Sequence, residues 1–228
     1  MPSIIALVPM RHHSQRVPGK NYRSLAGKPL FHHILETVLA VPEIAGIAVD
    51  TDSATVMEGL RSHFPEVIII ERPAHLRGDA VSMNLVLEHD TATVPADFYL
   101  QTHATNPLLR SETLSKAIRA FLDRYPDNDS LFSVTRVQSR LYDQAGKALN
   151  HNPAELIQTQ ELPPVFQENS CLYLFTRSGL TSQHHRIGPH PYMFEVPAAE
   201  AWDIDDELAF EVCDCLMQRR NSLADRPE

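Results

Sequence analysis

Residues 3–9, "SIIALVP", form an unbroken apolar run that ends on a proline. A run this short and uniformly apolar reads as a strand covered on both faces, because a strand with one wet face would alternate with polar residues. Covering both faces calls for helices above and below, and the residues that follow supply them. Pro29 opens a helix in which Leu30, Ile34, Val38 and Val41 recur at helical spacing. "IAGIAVD" reads as the next strand, "SATVMEGLRSHF" as a helix with Ser53 as its cap, and "EVIII" as a third strand. "SMNLVLEH" starts another helix, "DFYLQ" is a fourth strand, "SETLSKAIRAFLDRY" is a helix capped by Ser111, and "SLFSVTRV" is a fifth strand. This rhythm predicts an α/β fold with an open, mostly parallel sheet and helices on both faces.

Between Gln138 and Pro164 the rhythm gives way to polar residues, Gly146 and several prolines. It returns with the strand "CLYLFT", a His- and Pro-rich loop from Gln183 to Pro191, the strand "YMFEV" and a closing helix from about Asp206 to Arg220. A chain of 228 residues suits one domain, 1–228, with 138–164 as an excursion from it. Irregular segments of that length are uncommon inside a domain unless they have a use, and a subunit contact in a homodimer is the expected one.

The formal charge of −9, with positive residues spread along the chain and no basic tail, speaks against a nucleic-acid partner. Cys171, Cys213 and Cys215 show neither metal-ligand spacing nor a disulfide framework, which points to a reducing compartment. No apolar stretch approaches bilayer length and no leader pattern opens the chain, so no membrane partner and a cytoplasmic location are expected.

In open α/β sheets, ligands bind beyond the carboxyl ends of the strands. Those loops carry Arg11, Arg16, Lys20 and Asn21 after the first strand, Arg72 after the third and Gln101 at the end of the fourth, with Asp203 and Asp205 near the end of the chain. Cations beside paired carboxylates suit a polyphosphate with Mg²⁺, the cations taking phosphate oxygens and the carboxylates the metal. Each residue has a plainer reading too. Arg11, Lys20 and Arg72 could be solvated cations, Asn21 a turn stabiliser, and Asp203 and Asp205 helix-capping acids. Alternate residues of an extended segment point the same way, however, so Asp203 and Asp205 can converge on one ion. Asp50 and Asp52 form a similar pair that reads as nucleotide-side structure, with Asp52 as a helix cap. The pairs His12-His13, His32-His33 and His184-His185 are poorly placed to share a tetrahedral ion. Only His12 and His13 gain interest from their position.

The motifs "ALVPMRHHSQRVPGKN", "LAGKPL", "VDTDS", "ERPAHLRGDAVS", "ATNPLLR", "DSLFSV", "LPPVFQENSCLYLF" and "WDIDDELAFEV", in this order, resemble the acylneuraminate cytidylyltransferases over Ile4 to about Cys215. The resemblance implies a Rossmann-like nucleotidyltransferase that joins CTP to a nonulosonic acid, uses Mg²⁺ and releases pyrophosphate. Members of that family read Ala-Arg-Gly-Gly-Ser-Lys-Gly where this chain has Met10 to Arg16. The glycine-free "SQRVPGK" is similar instead to the 3-deoxy-octulosonate and pseudaminic-acid cytidylyltransferases. The arginine that often precedes the family's Gln-x-Leu-Pro segment is replaced here by Ile157, Gln158, Thr159 and Gln160. By resemblance, Arg11 and Lys20 act on the triphosphate as catalytic cations. Ser14, Arg16, Asn21, Arg72 and Ser82 bind the nucleotide, with Asn21 and Arg72 at the cytosine. Gln101 touches a small acidic sugar, and Asp203 and Asp205 hold the metal. A sugar-1-phosphate nucleotidyltransferase and a non-catalytic nucleotide-binding homologue stand as alternatives.

Overall fold

The structure is a computed structural model and describes residues 2–224. Among the described residues, nine strands and six α-helices follow in order: β1 Ile4–Leu7, β2 Ser24–Leu25, β3 Lys28–Pro29, α1 Leu30–Leu39, β4 Gly46–Thr51, α2 Ala54–His63, β5 Ile68–Glu71, α3 Met83–Thr93, β6 Phe98–Thr102, α4 Ser111–Leu122, β7 Ser130–Val137, β8 Val165–Phe175, α5 Arg177–Gln183, β9 Pro191–Glu195 and α6 Glu207–Ala224. Seven strands form one sheet in the order β5-β4-β1-β6-β8-β7-β9, and β2 pairs with β3 in a small ribbon. β8 runs antiparallel to both β6 and β7, while the other pairings of the main sheet are parallel. The expected open, mostly parallel sheet is therefore present.

Both faces of β1 are buried, and its alternation sorts the core. Ile4, Ala6 and Val8 join Phe31, Leu60 and Phe121 in one cluster, which packs α1, α2 and α4 on one face. Ile5 and Leu7 join Leu87 and Leu180 from α3 and α5 on the other. A third cluster seats α6 against the loop after β1, through Val17, Leu25, Ile204, Phe210 and Met217. Ser53 caps α2 as expected, its side chain accepting from the Val56 amide at 3.3 Å. Two helix starts differ by one residue from the sequence reading. Arg110, not Ser111, is the N-cap of α4, and Pro29 ends β3 and caps α1. Residues 138–164 leave the sheet, carrying one Tyr142–Ala148 bridge and a short 3₁₀ turn at Thr159–Glu161.

Candidate active site

A cleft of about 420 Å³ opens at the carboxyl ends of β1, β5 and β6. Arg11, Ser14, Arg16, Lys20 and Asn21 line it from the loop after β1, Arg72 from the end of β5, and Asp203 and Asp205 from the segment before α6. Eight of the residues singled out in the sequence thus share one cavity. Ser82 and Gln101 do not line it. Ser82 is the N-cap of α3, accepting from the Asn84 amide at 3.3 Å. Gln101 is fully buried at the end of β6, one layer beneath the cleft floor.

The glycine-poor loop is held by side chains. The His12 amide donates to Asp52 Oδ1 at 2.7 Å, the His12 ring lies 2.8 Å from Ser53 Oγ, and it stacks on Tyr22 at 5.4 Å. His12 therefore ties the loop to the start of α2, and only His13 of the pair faces the cleft. Asn21 is buried and donates to the Arg11 carbonyl at 2.8 Å, so its amide nitrogen braces the loop. Gly19 turns the chain at φ +68°, a region that disfavours any Cβ. Lys20 Nζ donates to the Ile204 carbonyl at 2.6 Å, joining the loop to the acidic segment. Burial pushes the Lys20 ammonium down from its ordinary value, and Asp203 and Asp205 pull it back up.

The acidic segment is positioned by the residue between its carboxylates. Ile204 is completely buried in the α6 cluster, which directs Asp203 and Asp205 together toward the cleft. Arg16 donates to Asp205 at 2.7 Å in a largely exposed pair. Asp203 Oδ1 is buried with no hydrogen-bond partner, and burial raises the carboxyl above the usual carboxylate range. An orphaned carboxylate oxygen beside a second carboxylate is the hard-oxygen donor set that a divalent cation such as Mg²⁺ prefers, so these residues fit that ion.

Arg72 is buried and paired with Asp50, which is buried as well, so it is no solvated loop cation. Asp90 from α3 shares a hydrogen bond with Asp50. Burial, and then Asp50, push Asp90 up to about 8, which makes it the protonated donor of that pair at neutral pH. Arg72 Nη2 is buried without a partner, while the residue itself contributes to the cleft lining. Sequence reasoning missed four cleft residues. Asp79 binds both Arg11 and Gln15 across the mouth of the cleft. His103 is pushed down to about 3 by burial and then by Arg186 and Lys20, so it is neutral. Ser170 reaches the cleft from an irregularity in β8, where it adopts φ +56°. Arg186 comes from the loop after α5. "QTHATNP" contained the signal for His103, whereas Arg186 had none.

Comparison with known proteins places the chain among relatives. The chain is 25% identical over 229 residues to a CMP-N,N'-diacetyllegionaminic acid synthase of Legionella pneumophila, covering 94% of this chain and 96% of that one. It is 22% identical over 214 residues to a pseudaminic acid cytidylyltransferase of Campylobacter jejuni, covering 88% and 90%. Its fold matches that of a CMP:2-keto-3-deoxy-manno-octonic acid synthetase solved in complex with CTP. The TM-score is 0.71 at 19% identity, with 96% and 99% of the two chains covered. The cytidylyltransferase family model matches residues 5–220, nearly the whole chain. The chain therefore belongs to the cytidylyltransferase family and is a nucleotidyltransferase.

Proposed function

We propose that this protein joins CTP to a 2-keto-3-deoxy sugar acid, giving the CMP-sugar and pyrophosphate. The observation that carries the reading is the single cleft in which Arg11, Arg16, Lys20 and Arg72 face Asp203 and Asp205. The kinship with enzymes named for pseudaminic and legionaminic acids supports the acceptor class.

In this reading, Arg11 and Lys20 neutralise the triphosphate, with Arg16 and the Ser14 hydroxyl as further contacts. Charge-assisted bonds to phosphate are roughly twice as strong as neutral ones, so side-chain cations replace part of what a glycine cradle would supply. Arg72, held by Asp50, lines the cleft at the cytosine, and Asn21 keeps the loop beneath the nucleotide in shape. Asp203 and Asp205 are the residues that would hold Mg²⁺. When bound, the metal neutralises phosphate charge and acidifies the attacking hydroxyl. The anomeric hydroxyl oxygen forms a bond to the α-phosphorus as the bond to the pyrophosphate oxygen breaks, and the hydroxyl proton is released. Positioning and charge neutralisation carry such a step, so no covalent nucleophile is required. We also place the enzyme in the cytoplasm as a homodimer. Three free cysteines support the compartment, and the exposed Leu149, Leu156 and Phe166 on and beside the excursion support the contact. Among the described residues no helix is long and apolar enough to cross a membrane.

Pyrophosphate release from CTP, UTP, ATP and GTP, each with pseudaminic acid, N,N'-diacetyllegionaminic acid and 3-deoxy-manno-octulosonate, tests the reading. CTP with at least one acid should turn over, with UTP slower by roughly 10²-fold or more, because an arginine N–H meets an acceptor at N3 of cytosine but a donor, N3–H, in uracil. Equal rates with CTP and UTP would remove Arg72 from base recognition. Release that requires a sugar 1-phosphate would replace the acceptor class.

A further inference from the structure

Arg11 is paired with Asp79, Arg16 with Asp205 and Arg72 with Asp50, and Lys20 is bonded to the Ile204 carbonyl. Arg186 differs from the other three arginines. Among the described residues it has no carboxylate within ion-pair distance, although much of its side chain is buried. The carboxylate that comes nearest in charge, Glu168, is occupied by the Tyr173 hydroxyl.

The Arg186 guanidinium is nevertheless fixed in orientation. It lies over the Tyr173 ring, 3.6 Å from its centroid, and Nη1 donates to Gln101 Oε1 at 2.7 Å. Gln101 is in turn set by its amide nitrogen, 2.9 Å from His103 Nε2, and the Arg186 amide donates to Asn84 Oδ1 at 3.3 Å. One face and one corner of the guanidinium are thus occupied. Its other side-chain contact is with Tyr173, and the residue lines the cleft. A planar fork held this way is built for a planar bidentate anion. Its place in the sheet says which anion. Arg72 stands at the end of β5, on one side of the loop after β1, whereas Arg186 packs on the β6 and β8 side, with His103 and Ser170. The triphosphate cations stand between the two.

From this we infer that Arg186 receives the carboxylate of the acceptor sugar acid, with Gln101 and Tyr173 positioning it. The inference rests on the proposed acceptor class. A neutral His103 beside it adds no competing positive charge. Gln101, which resemblance placed on the sugar, acts one layer back, through the guanidinium that it orients.

The test uses the full-length protein, CTP, the acid of the three above that turns over fastest, and the methyl ester of that acid, which keeps the shape and loses the charge. For the unaltered protein, KM for the ester should exceed that for the acid by about 10- to 100-fold. Arg186→Gln should raise KM for the acid by a similar factor, leave KM for CTP within about two-fold, and treat acid and ester alike. Arg186→Lys should recover part of the discrimination, because it keeps the charge and loses the fork. Unchanged discrimination in Arg186→Gln would overturn the inference and leave the proposed reaction standing. A parallel loss of CTP affinity would overturn it by assigning Arg186 a structural or nucleotide role. No pyrophosphate from the unaltered protein with CTP and any of the three acids would sink the functional reading, and this inference with it.

Discussion

At the scale of single residues, the cleft separates partners that are easily exchanged from partners that are not. The Arg16–Asp205 pair, with side chains 66% and 52% exposed, is worth about 0–1 kcal/mol, so a triphosphate and a metal can replace it at little cost. Asp205→Asn should therefore leave the melting temperature nearly unchanged and lower Mg²⁺-dependent turnover by about 10²-fold or more. Turnover like that of the unaltered protein would remove Asp205 from the metal site. The Arg72–Asp50–Asp90 cluster is of the other kind. Asp90 is moved from its ordinary 3.8 up to about 8, so the folded chain keeps a proton that the unfolded chain releases. The stability tied to that proton is fully present below pH 3.8 and is lost as the pH rises through about 8. An amide donates to Asp50 at every pH. Thermal melts at pH 5, 7 and 9 should accordingly show Asp90→Asn gaining on the unaltered protein as pH rises, and parallel melting curves would refute the shared proton. None of this cluster beyond Arg72 and Asp50 was visible in the sequence, because Asp90 lies on a helix face whose burial only the tertiary fold decides.

At the scale of elements, the loop after β1 and the segment before α6 form one unit, joined by Lys20 and seated by Val17 and Ile204 in a common apolar cluster. Gly19 sets the turn that brings Lys20 there. A Cβ at Gly19 would sit 2.9 Å from Tyr22 Cε2, and φ +68° costs a side-chain-bearing residue roughly 1–2 kcal/mol. Gly19→Ala should lower the urea midpoint accordingly and raise KM for CTP. An unchanged midpoint and KM would show that the turn does not set the loop. The strands and long helices were legible in the sequence because their burial leaves unbroken apolar runs or helical spacing. α5 was not, since "RSGLTSQ" buries Leu180 alone and carries no period. The outer half of β8 was hidden for the same reason: "VFQENS" is largely exposed where it pairs with β7. Arg186, beyond a helix that left no pattern, became a candidate only through its contacts in space. His12 and His13 stood out in sequence for replacing glycines, and the structure gives them different tasks, one bracing the loop and one facing the cleft.

At the scale of the whole molecule, a chain with a net charge of −9 gathers its working cations at one edge of one sheet, which draws anionic substrates to the cleft and not to the surface at large. The excursion leaves the sheet at that same edge, from the carboxyl end of β7, without lining the cleft, and presents Leu149 at 61% and Leu156 at 94% exposure, more apolar surface than an isolated loop benefits from. Light scattering at micromolar concentration should give the mass of a dimer, and Leu156→Asp should shift it toward monomer. A monomer in the unaltered protein would contradict that assembly. The central claim concerns the bond that is made, and an isotope follows it most directly. A sugar acid carrying ¹⁸O in its anomeric hydroxyl, supplied with CTP and Mg²⁺, should yield CMP-sugar and pyrophosphate in equal amounts. Mass spectrometry should find the label in the bridge between sugar and phosphorus, with none in the pyrophosphate. A bridge without label, or no CMP-sugar from CTP with any of the three acids, would contradict the account.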